Sequence, residues 1–320
     1  MSQYVTLELK RGTLLEWANA NPTLAPGEPG FELDTGNMKI GTGATGWNYL
    51  PYMNAKTNPL TNSVSLGVQT TGQGSGAVAI GVLSGQTNQG PYSLAIGDEA
   101  GSSSQGQNSI ALGYQAGRLG QGSYSVAIGS EAGEYNQGGY STAVGFLAGQ
   151  TGQLYNSVAI GSYAGQTNQL QNSVAIGFEA GYTGQGSGSV AVGNQAGQTG
   201  QGTNSVAIGS AGNIQQGNGA VAIGFNCGLG SQGINAVAIG TRAGNFSQGA
   251  ESISIGHFAG QTSQADNTII LNASGSAVNG VLAQTNSFYV KPIRSITGAS
   301  TGNTFYAVSY NPVTGELTIP

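Results

Sequence analysis

Apolar positions in this chain are gathered into one short alternating phrase that returns along most of its length. Between Ser63 and Asn272, SVAIG or a close variant occurs fourteen times, and eleven of the thirteen spacings are 16 residues. The other two are 14 and 15. With Gly129 as reference, Val126 and Ile128 stand three and one residues before it, and every copy has Val, Ile or Leu at both places except at Thr142. The residue between them is almost always Ala. Alternation of apolar residues around a small one has period two and excludes a helix, so each phrase is predicted as a short strand with Val126 and Ile128 on one face and Ala127 on the other.

A unit of this length with one short strand cannot bury its own apolar face, so the copies must stack as coils of a parallel solenoid. The predicted fold is all-β, a parallel β-solenoid of about 13 coils, roughly 60 Å long at the usual strand spacing. Ala132-Gly133 and its equivalents mark a second short stretch on the return side, where small residues let the two walls approach. In this reading Val and Ile fill the interior, and the Ala127 positions form a flat apolar strip on the outside. Such a strip would pack on its equivalents about a threefold axis, which predicts a homotrimer.

The most regular polar position is glutamine: Gln89, Gln105, Gln121, Gln137, Gln153, Gln169, Gln185, Gln201, Gln216, Gln232, Gln248 and Gln264 each stand eight residues before the next reference position. Identical amides at the coil pitch are predicted to form a hydrogen-bonded structural ladder, the alternative being solvated turn residues. Glycine, 57 of 320 residues, serves the turns, with Gly129, Gly133 and Gly138 expected at positive φ.

Charge narrows the functional classes. Charged residues are 7% and the net charge is −5, which argues against a nucleic-acid partner. Cys227 occupies the Ala132 slot of its coil, as a small buried residue would. The start, MSQYVTLELKRG, lacks the apolar core of a signal peptide, and no run approaches a membrane span. The expectation is a chain neither secreted by the usual route nor inserted in a membrane.

Three regions follow: 1–58, the 59–272 repeats, and 273–320. The first has a strand-like YVTLELKRG, a capping box opening at Thr13-Leu14-Leu15-Glu16 with a helix ending before Pro22, and a hairpin of Phe31-Glu32-Leu33 and Met38-Lys39-Ile40 around Asp34–Asn37. Trp47, Tyr49 and Tyr52 are its expected core. The order LKRGT, EW, NP, GEPGFELDTGNMKIGTG, WNYLPY resembles the N-terminal domain of phage tail-fibre and receptor-binding proteins. That resemblance implies a virion-attachment domain at the start of a trimeric fibre. The repeats are similar to the head of trimeric autotransporter adhesins, which implies a left-handed β-roll in each of three chains. The last region, with NTIILNASG, SFYVKPIRS and YNPVTGELT, resembles the segment that precedes an endosialidase-type intramolecular chaperone, and so implies a C-terminal tip and trimerisation segment.

Candidate chemistry is sparse, and no catalytic, cofactor or metal site is expected. His257 has no second ligand residue at metal spacing, and Glu131 and Glu179, three coils or roughly 14 Å apart, are too distant for a glycosidase pair. Tyr92, Tyr124 and Tyr140 share the position before the strand, whereas Tyr114, Phe146, Phe178 and Phe225 follow the reference glycine. These rows could stack on sugar rings or fill grooves between coils or chains. The reading is a structural virion fibre, made in the host cytoplasm and displayed on the virion surface. Its partners are itself, a tail or capsid protein through the N-terminal domain, and a host-surface glycan or protein. Phe288, Tyr289, Lys291 and Arg294 are candidate receptor contacts at the tip, with trimer packing as their other reading. A cellular trimeric adhesin is the alternative, and a fibre-borne depolymerase a weaker one.

Overall fold

The computed structural model describes residues 9–50, 52, 56–58, 63–66, 71–293, 309–310, 315 and 317–318. Near the N-terminus, β1 (Lys10–Gly12) leads into α1 (Leu14–Ala20), followed by β2 (Pro29–Glu32) and β3 (Met38–Ile40). The helix begins where Thr13 accepts from the Glu16 amide while the Glu16 carboxylate accepts from the Thr13 amide, the reciprocal box that satisfies two otherwise orphaned donors. It stops at Asn21, in the left-handed region, before Pro22. β2 pairs antiparallel with β3 and parallel with β1, so the hairpin forms in the register Phe31↔Met38. Trp17 stacks on Trp47 with ring centroids 4.0 Å apart, and Leu24 and Leu50 complete the small core. Tyr49 does not join it: the 3-10 turn Trp47–Tyr49 buries its first residue and leaves its last 80% exposed.

The repeats form a parallel β-solenoid. All fourteen phrases are strands, and each pairs in parallel with the next at matching positions, as in Val126↔Thr142, Ala127↔Ala143 and Ile128↔Val144. This phrase wall is a sheet of 16 strands, because Lys56–Asn58 adds antiparallel at one end and Phe288–Lys291 parallel at the other. The solenoid runs to about 17 turns rather than about 13. Strands without the phrase extend it, and only backbone pairing reveals them.

The second wall differs from expectation. Ala132-Gly133 lies in the turn after the phrase, and the return strand comes later, at Thr167–Gln169 and its equivalents, ending on the glutamine. Seven such strands form one sheet and two another, and bridges through Ser103, Leu119, Tyr135 and Thr151 join them into a continuous wall.

The faces of the phrase strand are also the reverse of those expected. Ala127, Ala132 and their counterparts are fully buried and form the core, whereas Val126 and Ile128 are outward and half-buried, and Ile160, Ile176 and Ile208 are exposed. The cause is the gap between the walls. A methyl added at Gly149 would sit 3.3 Å from the Ala143 methyl and 2.7 Å from Gln153 Oε1, so along the body of the roll a β-branched side chain has no room in this column; one enters it only at the last phrase, where Ile270 is fully buried. The exposed alanine strip does not exist; the exposed apolar strip is Val and Ile. Gly129 adopts φ 127°, and a Cβ there would lie 2.5 Å from the Gly145 carbonyl oxygen. Gly138, by contrast, is not at positive φ; what excludes a side chain there is the next coil's backbone, 2.6 Å from a Cβ at Leu154.

Candidate binding surfaces

Inside the roll, each of the twelve glutamines from Gln89 to Gln264 is buried and aimed back across the coil. Each Nε2 donates to a phrase-strand carbonyl: Gln137 to Val126 at 2.8 Å, Gln153 to Thr142 at 2.9 Å, Gln169 to Val158 at 2.8 Å. The coil-to-coil amide links are discontinuous. Gln137, Gln153 and Gln169 are joined in series at 3.1 Å, as are Gln216, Gln232 and Gln248 at 3.2 and 3.1 Å. Elsewhere, Oε1 of Gln105, Gln121, Gln185 and Gln201 is buried with no partner. The tie between walls within a coil was not foreseen, although its constant offset of about 11 residues is present in the sequence.

Three outward surfaces remain for partners. The first is the Val/Ile wall, with no Lys, Arg, Asp or Glu at the two outward positions of any of its fourteen phrases. At one strand spacing per coil and about three residues of width, it presents on the order of 600 Å² of flat aliphatic surface.

The second surface is the edge that follows the phrase glycine. Stacking places residues 16 apart side by side, and this ruler explains contacts that sequence reasoning missed. Arg118 Nε lies 2.7 Å from Glu99 Oε2, and its guanidinium reaches Glu134 Oε1 at 3.2 Å. Gln150 Nε2 bridges Glu131 at 3.0 Å and Glu134 at 2.9 Å, and Gln166 donates to Gln150 at 2.9 Å. Glu179 Oε2 accepts from Gln195 at 2.9 Å and Gln198 at 2.6 Å. Glu131 and Glu179 are thus each held by amides. Among them Tyr163 meets Phe146 and Phe178 edge to face, with centroids 5.4 and 6.0 Å away, and Tyr182 at 6.3 Å.

The third surface is the opposite edge, before the phrase, where small residues and Asn predominate. Tyr124 and Tyr140 stack there at 5.1 Å and 6°, and Tyr92 is exposed on a separate coil.

The tip candidates separate. Phe288↔Ile269 and Val290↔Leu271 pairing continues the outward Val/Ile wall, with Phe288 exposed, so Phe288 belongs to that wall. Tyr289 continues the alanine column, and its hydroxyl accepts from the Val281 amide at 3.1 Å. Lys291 is exposed, and Arg294 lies outside the described residues. His257 is exposed, its ring beside Phe258 at 3.8 Å. Cys227 is buried, donates to the Ala238 carbonyl, and has its thiol pushed up to about 12 by desolvation. Among the described residues, no group of three or more His, Cys, Asp and Glu side chains could hold a metal ion, and no helix is long and apolar enough to cross a membrane.

Residues 8–45 match the family model described as the Major tropism determinant N-terminal domain, and residues 89–116 match two copies of the YadA head domain repeat. No curated protein matches the chain. The N-terminal module is thus similar to that of a phage tropism determinant and the shaft to a YadA head, which is the tail-fibre type of organisation that the sequence patterns indicate.

Proposed function

We propose that this chain is a structural virion fibre: a homotrimeric rod attached through its N-terminal module, with the last rung toward the host, where it contributes to adsorption. The observation that carries this reading is the Val/Ile wall. A flat strip of aliphatic side chains along the whole rod, on the order of 600 Å², reaches the upper end of what a monomer leaves wet, the size at which such patches mark contact with another chain. Because successive rungs are in parallel register, copies arranged about an axis along the rod cover every rung of one another at once. The adhesin-like repeats support three copies, and the tropism-determinant-like module supports attachment to a particle at that end. Continuation of the wall through Phe288 favours packing between chains for that residue. On this reading the role is mechanical and adhesive rather than catalytic.

The test is solution mass by light scattering. The full chain should be trimeric, and Ile128→Asp with Ile160→Asp should release folded monomers; a stable wild-type monomer would overturn the reading. Deleting residues 1–58 should leave trimers that no longer enter particles. Normal incorporation would reverse the polarity. The YadA-type repeats favour one second reading, a cellular trimeric adhesin, in which the chain would fractionate with cell envelopes instead of particles.

A further inference from the structure

The repeat is its own control experiment. In most coils the inward columns hold the same Ser, Ala and Gln, whereas the edge after the phrase glycine varies along the rod among Val, Asp, Tyr, Ser, Phe, Asn, Thr and His. Scaffold requirements do not explain that variation, because Ser130, Ser162 and Ser210 fill the same slot as Phe146 and Phe178. This edge also collects both arginines of the repeats and five of their seven carboxylates, namely Asp98, Glu99, Glu131, Glu134 and Glu179.

We infer that the middle of this edge, around Phe146, Tyr163 and Phe178, is a binding site for a neutral carbohydrate chain. Phe146 and Phe178 are each 45% exposed, two coils apart, with only Ser162 in the slot between them. Tyr163, less exposed, stands perpendicular to both rings and fixes them. Exposed ring faces of this kind stack on the C–H faces of pyranoses. Hydroxyl groups need oriented acceptors next to those rings, and Glu179, the residue after Phe178, supplies one. Glu179 Oε2 is held by two glutamine amides, while its Oε1 has no hydrogen-bond partner among the described residues. A few fixed polar groups beside aromatic surface are the usual make-up of a ligand site.

Charge selects the class of sugar. No Lys or Arg occurs between Arg118 and Arg242, and Arg118 is already paired with Glu99 and Glu134. A sialylated or phosphorylated chain would meet carboxylates with no counter-charge, whereas a neutral hexose or N-acetylhexosamine chain would not. The proposal rests on the fibre reading only in that the edge must face outward; it lies around the turn from the Val/Ile wall.

The full chain is passed over immobilised neutral hexose and N-acetylhexosamine oligosaccharides, with sialylated and phosphorylated oligosaccharides and host surface protein as parallel arms. Retention on a neutral chain is expected, weakened roughly tenfold in Tyr163→Gln with Phe178→Ser. Both replacements copy residues found in those slots on other coils (Gln115, Gln195, Ser162), so the melting temperature should hold. Tyr124→Asn with Tyr140→Asn, on the opposite edge, should bind as wild type. A trimeric wild-type chain that no neutral oligosaccharide retains, that binds only acidic chains or only protein, or whose edge variant binds equally well, overturns the proposal. Light scattering of the same samples judges the fibre reading separately: a monomer that still binds neutral chains sinks that reading and leaves this one.

Discussion

Gln153 Nε2 lies 2.9 Å from the carbonyl oxygen of Thr142, so a single side chain ties the return wall of its coil to the phrase wall, eleven residues earlier. The same amide also reaches Gln169 Oε1 in the next coil at 3.1 Å. The column therefore braces each coil across its width before it links coils along the axis. A buried amide with both functions has no substitute in water, because the interior is closed.

Replacing Gln153 by Leu should cost about 1 to 3 kcal/mol, the penalty for leaving buried polar partners unmet. Adding Gln169→Leu in the same chain should cost more. Thermal unfolding of the two variants measures this. Unchanged melting with both glutamines replaced would mean that the column bears no strain in the fold.

The reversed faces of the phrase strand predict opposite responses within one coil. Ala143→Val inserts two methyl groups where the walls already touch, and should destabilise by about 1 to 3 kcal/mol. Ile160→Ala, on the outward face, should leave the coil folded and weaken association between chains. Denaturant unfolding and solution mass, read together, separate the two effects. A silent Ala143→Val alongside a strongly destabilising Ile160→Ala would restore the inward placement of Val and Ile.

Acid should loosen the N-terminal module. The Thr13 backbone amide, then its hydroxyl, holds the Glu16 carboxyl below its usual value of 4.5, and the Lys10 ammonium, then the Ala25 amide, does the same for Glu28. A carboxylate depressed in the folded state contributes stability that is fully present above the unfolded value and is lost as pH falls through the folded one. Stability of this module should therefore be level above about pH 5 and fall below 4.5. The only two tryptophans of the chain, Trp17 and Trp47, are stacked in this module, so their fluorescence follows it alone. Glu16→Gln with Glu28→Gln should flatten the acid limb; an acid midpoint that does not move would show that other groups govern it.

The sequence by itself determined the period, the parallel stacking of like on like, the capped helix and the hairpin, because each depends on local spacing and turn chemistry. The positions of Thr13, Glu16 and Asp34–Asn37 say where chain direction changes, and a 16-residue repeat permits only one kind of stack. It also established that Val126 and Ile128 share a face opposite Ala127, since a strand has period two. Which face turns inward was not decided by that alternation. The distance between the walls decided it, through contacts between residues in different strands, and along the body of the roll that distance suits alanine, serine, one cysteine and the arm of glutamine, with Ile270 admitted only at the last phrase. The same long-range packing brought Phe146, Tyr163 and Phe178 together and set Arg118 between Glu99 and Glu134, pairings that exist only once one coil rests on the next.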